Sequence, residues 1–249
     1  MIILHFIKGL RMNYVELICK AYVKKNIAFE ESFELLSKYI SFSMYDEGTS
    51  KIHEKTGFKY YVFGGFTPVE KSKTYEAGKV YEFRIRSLDK TLIDELSQRL
   101  RQNINNEHLQ VLEAHTKVIQ PFFITELKSL TPVVVSVAPS KYWTMNESGD
   151  IMQLQRQLHD NAEKKYKSFF GETLHVSQNF IQLIEILNQK PQNIVIHKDG
   201  KAIRLFGNKF RIVPNEDEVS QKLAFVALAC GLGEKNSYGA GYVHGKGMR

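Results

Sequence analysis

Residues 14–24 read YVELICKAYVK, and their alternation decides the first element of the fold. Val15, Leu17, Cys19, Ala21 and Val23 share one face, while Glu16, Lys20 and Lys24 share the other. Side chains alternate across a strand, so this pattern describes a strand buried on one face. Phe29, Phe33, Leu36 and Ile40 then recur at helical spacing, with Glu30 and Glu31 in the first turn, where the helix dipole favours acid. YYVFGGF (60–66) reads as an aromatic strand with a Gly-Gly irregularity, and VYEFRIR (80–86) alternates again. Leu88, Leu92, Leu96 and Leu100 mark a second helix, and residues 115–123 read as a closing strand. The order is β-α-β-β-α-β, the ferredoxin-like arrangement.

The remaining chain repeats the plan. TPVVVSVAP (131–139) reads as a buried strand bounded by prolines. Ile151, Leu154, Leu158, Ala162, Tyr166 and Phe169 fall on one helical face. Strands follow around FIQLIEIL (180–187), IVIHKDGKAIRLFG (194–207) and KFRIV (209–213), with HKDGK as a hairpin turn. A last helix starts at the acidic NEDE (215–218), continues through Val219, Leu223, Val226, Ala227 and Cys230, and ends at Gly231. The final strand is expected over Gly241–His244. The expected class is therefore α+β, with two tandem ferredoxin-like (βαββαβ) domains over 1–124 and 125–249. The first convincing element begins near Met12, which leaves residues 1–11 as a candidate extension.

Composition narrows the partners. The chain has 249 residues, 43% hydrophobic and 24% charged, enough to build cores without disulfide staples. Lys plus Arg number 34 against 27 Asp plus Glu, a net charge of +7, which favours a polyanionic partner. Cys19 and Cys230 both sit in apolar runs and read as small core residues, not metal ligands or a disulfide. No apolar stretch is long enough for a transmembrane helix, and MIILHFIKGLR lacks a signal peptide's length and cleavage site, so a cytoplasmic location is expected. No His or Cys spacing suits a metal, and no cofactor is expected.

The densest anomaly is GLGEKNSYGAG (231–241), which holds four of the sixteen glycines. No Gly-Lys-Ser/Thr follows at Walker spacing, and the segment follows a helix and precedes a strand, the reverse of a dinucleotide fingerprint. Its glycines let backbone approach either a ligand or another strand. Lys235, Asn236, Ser237 and Tyr238 offer charge, hydrogen bonds and a stacking face.

In this position, Gly-Leu-Gly, five residues and Gly-Ala-Gly resemble the C-terminal glycine motif of the CRISPR-associated endoribonucleases that cut repeat RNA into guide RNAs. Members of that family are double ferredoxin-like chains of the RAMP superfamily. The resemblance implies metal-independent cleavage by 2′-hydroxyl attack, giving 2′,3′-cyclic phosphate and 5′-hydroxyl ends. Family members often carry a His-Glu pair after the first helix, with a lysine a few residues on. KIHEKTGFKYY (51–61) supplies His53 as the proton-transfer residue and Lys59 as the charge stabiliser. Tyr39 is the expected tyrosine, with Tyr45 as competitor, while Lys51 and Lys55 attract phosphate. The resemblance assigns RNA binding to Gly231, Gly233, Lys235, Asn236, Ser237, Gly239 and Gly241, and to Lys198, Lys201 and Arg204 on the hairpin. It implies repeat RNA as partner, other CRISPR effector proteins as candidate partners, and a monomer or homodimer. A catalytically inactive repeat-RNA-binding relative is the alternative, and a small-molecule enzyme with a phosphate-binding glycine loop is the more distant one.

Overall fold

The computed structural model describes residues 12–44 and 57–248. The first half runs β1 (Tyr14–Val23), β2 (Ile27–Ala28), α1 (Phe29–Met44), β3 (Tyr61–Phe63), β4 (Thr74–Tyr75), β5 (Val80–Ser87), α2 (Lys90–Gln102) and β6 (Leu109–Ile119). Its main sheet has the order β3-β5-β1-β6, with all neighbours antiparallel. The alternating face of β1 is buried as its spacing requires: Leu17, Cys19 and Ala21 pack against Leu36 and Ile40 of α1 and Ile93 and Leu96 of α2 in one core. Asp89 starts α2 by accepting a hydrogen bond from the backbone N–H of Leu92, which satisfies an otherwise orphaned donor.

The second half runs β7 (Phe123–Ser129), β8 (Ser136–Ala138), β9 (Lys141–Tyr142), α3 (Ile151–Phe170), β10 (Ile181–Ile186), β11 (Gln192–Lys198), β12 (Lys201–Gly207), β13 (Phe210–Pro214), α4 (Glu218–Cys230) and β14 (Val243–Met248). Its main sheet is β10-β13-β7-β14, the same order by position in the repeat as the first sheet. The fold is thus a tandem of ferredoxin-like units, with the β11–β12 hairpin inserted between the second and third strands of the second unit. Among the described residues no helix is long and apolar enough to cross a membrane.

Two expectations about the second half need correction. Its opening strand is β7 at 123–129, whereas 131–139 is mostly irregular, with single bridges from Val133 to Asn208 and from Val134 to Glu234. The apolar run there has a different cause: Val134 packs into the first core, while Val133 and Val135 pack into the second. A segment buried on both sides reads as a central strand without being one. The hairpin also departs from the second sheet. Its face of Ile194, Ile196 and Leu205 belongs to the first core, beside α1.

Arg86 joins the two units. It is 7% exposed on β5, donates to Glu16 on β1 and to the Val243 carbonyl on β14 at 2.7 and 2.6 Å, and lies 4.4 Å from the Tyr242 ring centroid. A buried guanidinium requires these partners, because the desolvation of its charge is otherwise uncompensated. Glu16→Leu is expected to lower unfolding free energy by about 3–5 kcal/mol, since it strands a buried cation. Urea denaturation measures this, and a loss below about 1 kcal/mol would mean that Arg86 does not depend on Glu16.

Candidate functional site

The glycine segment leaves α4 and returns to β14 through a narrow neck. The Leu232 N–H donates to the Gly241 carbonyl at 2.9 Å, Gly241 N–H to Pro132 at 2.9 Å, and Glu234 N–H to Val134 at 2.8 Å. A Cβ at Gly241 would lie 1.9 Å from the Leu232 oxygen, and its φ of +69° lies in the region that side chains avoid. A Cβ at Gly233, also at +69°, would lie 2.7 Å from the Val134 oxygen. The glycines therefore admit close packing of backbone on backbone. Gly231, Gly233, Gly239 and Gly241 are buried, and of the four Gly233 lines the cleft described below.

Asn236 is half-buried and also lines that cleft. Its Oδ1 accepts from Lys165 at 2.8 Å and its Nδ2 donates to the Ala240 carbonyl at 2.9 Å, so the amide is engaged inside the segment. What faces outward is Lys235, exposed at φ +59°, together with half-buried Ser237 and Tyr238. The Ser237 carbonyl accepts from Ser37 of α1 at 2.8 Å, so the first unit grips this turn directly.

Lys165 of α3 was absent from the sequence expectations. It is 2% exposed, and its ammonium donates to the carbonyls of Gly231 and Gly233 at 2.7 and 2.8 Å as well as to Asn236. Burial lowers its pKa to about 8. A signal existed: position 165 continues the apolar stripe of Leu154, Leu158 and Ala162, where a lysine must be buried.

The turn forms one wall of a cleft of about 540 Å³ between the units. Residues 57–61 form another wall, and Asn161, Lys164 and Lys165 of α3 close it. Lys59 is exposed at this cleft, yet burial by surrounding protein lowers its ammonium below the usual lysine range. The structure thus brings Lys59 and Lys235 to one place. His53, Tyr45, Lys51 and Lys55 lie outside the described residues.

Tyr39 is not at the cleft surface. It is fully buried in the first core, where its hydroxyl donates to the Leu100 carbonyl at 2.6 Å and accepts from Val111 N–H at 3.2 Å. Burial pushes its pKa up to about 12. Its place beside the Phe33–Leu36–Ile40 stripe made it a core residue, and its expected role is corrected accordingly.

The basic hairpin residues stand apart from the cleft. Lys198 and Lys201 pair across the exposed tip, and Arg204 lines a second groove of about 750 Å³ with Lys73, Lys209, Phe29 and Tyr242. Burial and the neighbouring Lys73 charge both lower the Lys209 pKa. Among the described residues no cluster of three His, Cys, Asp or Glu side chains is placed to hold a metal ion.

The comparisons agree with one another. The family described as CRISPR associated protein Cas6, C-terminal, matches residues 115–244, more than half of the chain. The CRISPR-associated endoribonuclease Cas6 2 of Methanocaldococcus jannaschii is 25% identical over 237 residues, covering 86% of this chain and 93% of its own. Among solved structures, a CRISPR associated protein Cas6 superposes with a TM-score of 0.68 at 18% identity, covering 94% of this chain and 99% of its own. A RAMP protein described as binding different RNA substrates gives 0.66 at 17%, covering 93% and 99%. A Cas6-related protein of Pyrococcus furiosus gives 0.63 at 18%, covering 94% and 98%. The structural likenesses speak for the fold, and the family match runs through the glycine segment to His244; the chain belongs to the CRISPR-associated Cas6 family.

Proposed function

We propose that this chain is a cytoplasmic endoribonuclease that cleaves CRISPR repeat transcripts into guide RNAs without a metal ion. The observation that carries the reading is the meeting of residues 57–61 with the Lys235–Tyr238 turn in one cleft. Residues 57–61 continue directly from the stretch that holds His53. The M. jannaschii relative, named an endoribonuclease, supports the same class of activity.

In this reading the substrate's 2′-oxygen attacks the adjacent phosphorus and the bond to the 5′-oxygen breaks. The 2′-hydroxyl loses a proton and the leaving 5′-oxygen gains one, leaving a cyclic phosphate and a 5′-hydroxyl. His53 transfers one of these protons, because an unperturbed imidazole titrates near neutrality. Lys59 stabilises the charge that builds on the phosphorus oxygens, and Lys235 binds the adjoining backbone. Arg204 and the tip lysines, Lys198 and Lys201, contact RNA flanking the cut.

Incubation with EDTA and end-labelled repeat RNA is expected to yield 2′,3′-cyclic phosphate ends, and His53→Ala to slow cutting by about 10²-fold or more. Cleavage that requires magnesium would sink the mechanism. Binding without cutting by the unmodified chain would favour a repeat-RNA-binding relative. Tyr39→Phe is expected to keep the wild-type cleavage rate but to cost about 1–3 kcal/mol in urea denaturation, because buried Val111 N–H loses its acceptor. Replacing Lys198, Lys201 and Arg204 together by Ala is expected to weaken RNA binding and flatten its salt dependence, by about one unit of slope for each phosphate left without its cation. An unchanged slope in filter-binding titrations would remove the hairpin from the RNA path.

A further inference from the structure

A lysine in a protein interior is uncommon unless its charge is matched by acceptors. Lys165 has three N–H groups and three acceptors at 2.7–2.8 Å: Gly231 O, Gly233 O and Asn236 Oδ1. All its donors are engaged, and 2% of the residue is exposed, so the ammonium has no bond left for a substrate phosphate. It fixes instead the carbonyls on either side of Leu232 and the orientation of the Asn236 amide, from which the exposed turn projects. Gly233 and Asn236 flank Lys235 in sequence at distances of two residues and one.

We infer that Lys165 is a positioning residue for the cleft, holding the 231–236 backbone in the one shape that places Lys235 in the same cleft as Lys59. The inference rests on the proposed RNA-cleaving function. It adds to that function a residue from a different helix, acting from beneath the segment, and it makes the cleft sensitive to alkaline pH.

The sign follows from the acceptors. Below about pH 8 Lys165 is an ammonium and serves all three oxygens. Above it the neutral amine keeps two N–H groups, and a lone pair faces the third oxygen, so the segment loosens. Global stability moves the other way. The unfolded lysine holds its proton to about 10.5, so between about 8 and 10.5 the unfolded chain binds more protons and rising pH favours the folded state. Loss of function where this group's contribution to stability rises is a signature that a purely structural lysine does not give. The groups that face Lys165 are Cys230 at the end of α4, whose thiol burial pushes up to about 11, and the Glu234 carboxylate, which favours the ammonium. Lys164 of its own helix, Lys59, Tyr61, Lys235 and Tyr238 line the cleft above it.

The test uses the full chain and a labelled RNA carrying one copy of its cognate CRISPR repeat, with single-turnover cleavage and RNA binding measured from pH 6 to 9.5. Wild type is expected to lose cleavage and affinity with a midpoint near pH 8. Lys165→Met, with its fold checked by circular dichroism and thermal melting, is expected to be about tenfold or more weaker at pH 7 and to lack that midpoint. Glu234→Gln keeps an oxygen for Ser136 but removes the carboxylate, and is expected to move the midpoint to lower pH. A folded Lys165→Met with wild-type affinity, rate and alkaline loss overturns the inference. If that variant does not fold, an alkaline midpoint unmoved by Glu234→Gln overturns it and a lowered one supports it. His53→Ala cutting at the wild-type rate would sink the assigned chemistry, while the binding profile would still decide the role of Lys165.

Discussion

No carbon atom can be added at position 241 without striking the Leu232 carbonyl, 1.9 Å away. The arrangement of the cleft depends on that contact. Chain leaving α4 and chain entering β14 pass through the same neck, bonded to each other and to Pro132 and Val134. The exposed turn between them is then held from three directions: by Lys165 beneath, by Ser37 of α1, and by Phe33 and Phe63 against Gly239. The glycines supply room for backbone, and the chemistry is carried by what the neck presents. A glycine-rich segment need not be a flexible one: here each of the four is a place where another residue type would collide.

The two ferredoxin-like units are interleaved at their seam as well as stacked. Val134 goes to one core and its two neighbours to the other, and a hairpin between strands of the second sheet buries its apolar face in the first core. Glu34 of α1 fastens that hairpin, accepting from His197 N–H at 2.7 Å and pairing with its Nδ1 at 2.8 Å and with Lys38 at 2.7 Å. Burial opposes the Glu34 charge, yet these bonds outweigh it and hold the carboxyl below its usual range. A cleft on such a seam has walls from both units, and any motion that separates them also breaks buried contacts.

Legibility from sequence followed locality. The strand and helices of the first unit declared themselves through alternation and through stripes of period 3.6, because each buries one face against one core. The second unit was harder where that premise failed. TPVVVSVAP is apolar on both faces because two cores claim it, while the true opening strand, FITELKS, buries only Ile124 and Leu127 among its apolar side chains. The site divided in the same manner. Lys59 and Lys235 line one cleft, whereas Tyr39 lies in the core that its own helical stripe implied. For Lys165 the helical stripe indicates burial, but its three partners lie 66 to 71 residues away. The stripe shows that the charge is buried; which tertiary acceptors satisfy it no local pattern displays.

The net charge of +7 acquires meaning only when its members are sorted by partner. Arg84 and Arg86 are held by Glu16, Arg211 by Glu126 and Glu185, and Lys20 by Glu113. Those charges are largely neutralised within the fold and offer little to a distant polyanion. Lys59, Lys164 and Lys235 in the cleft, and Lys73, Arg204 and Lys209 in the second groove, form no ion pair among the described residues. Burial and the nearby Lys73 charge both disfavour the Lys209 ammonium. Crowding cations without counter-charge costs free energy in the isolated chain, and a bound anion offsets that cost. These six line two concave surfaces of the seam, where low-dielectric walls concentrate the field. Paired cations hold the fold together, whereas the six in these two clefts have no carboxylate partner among the described residues.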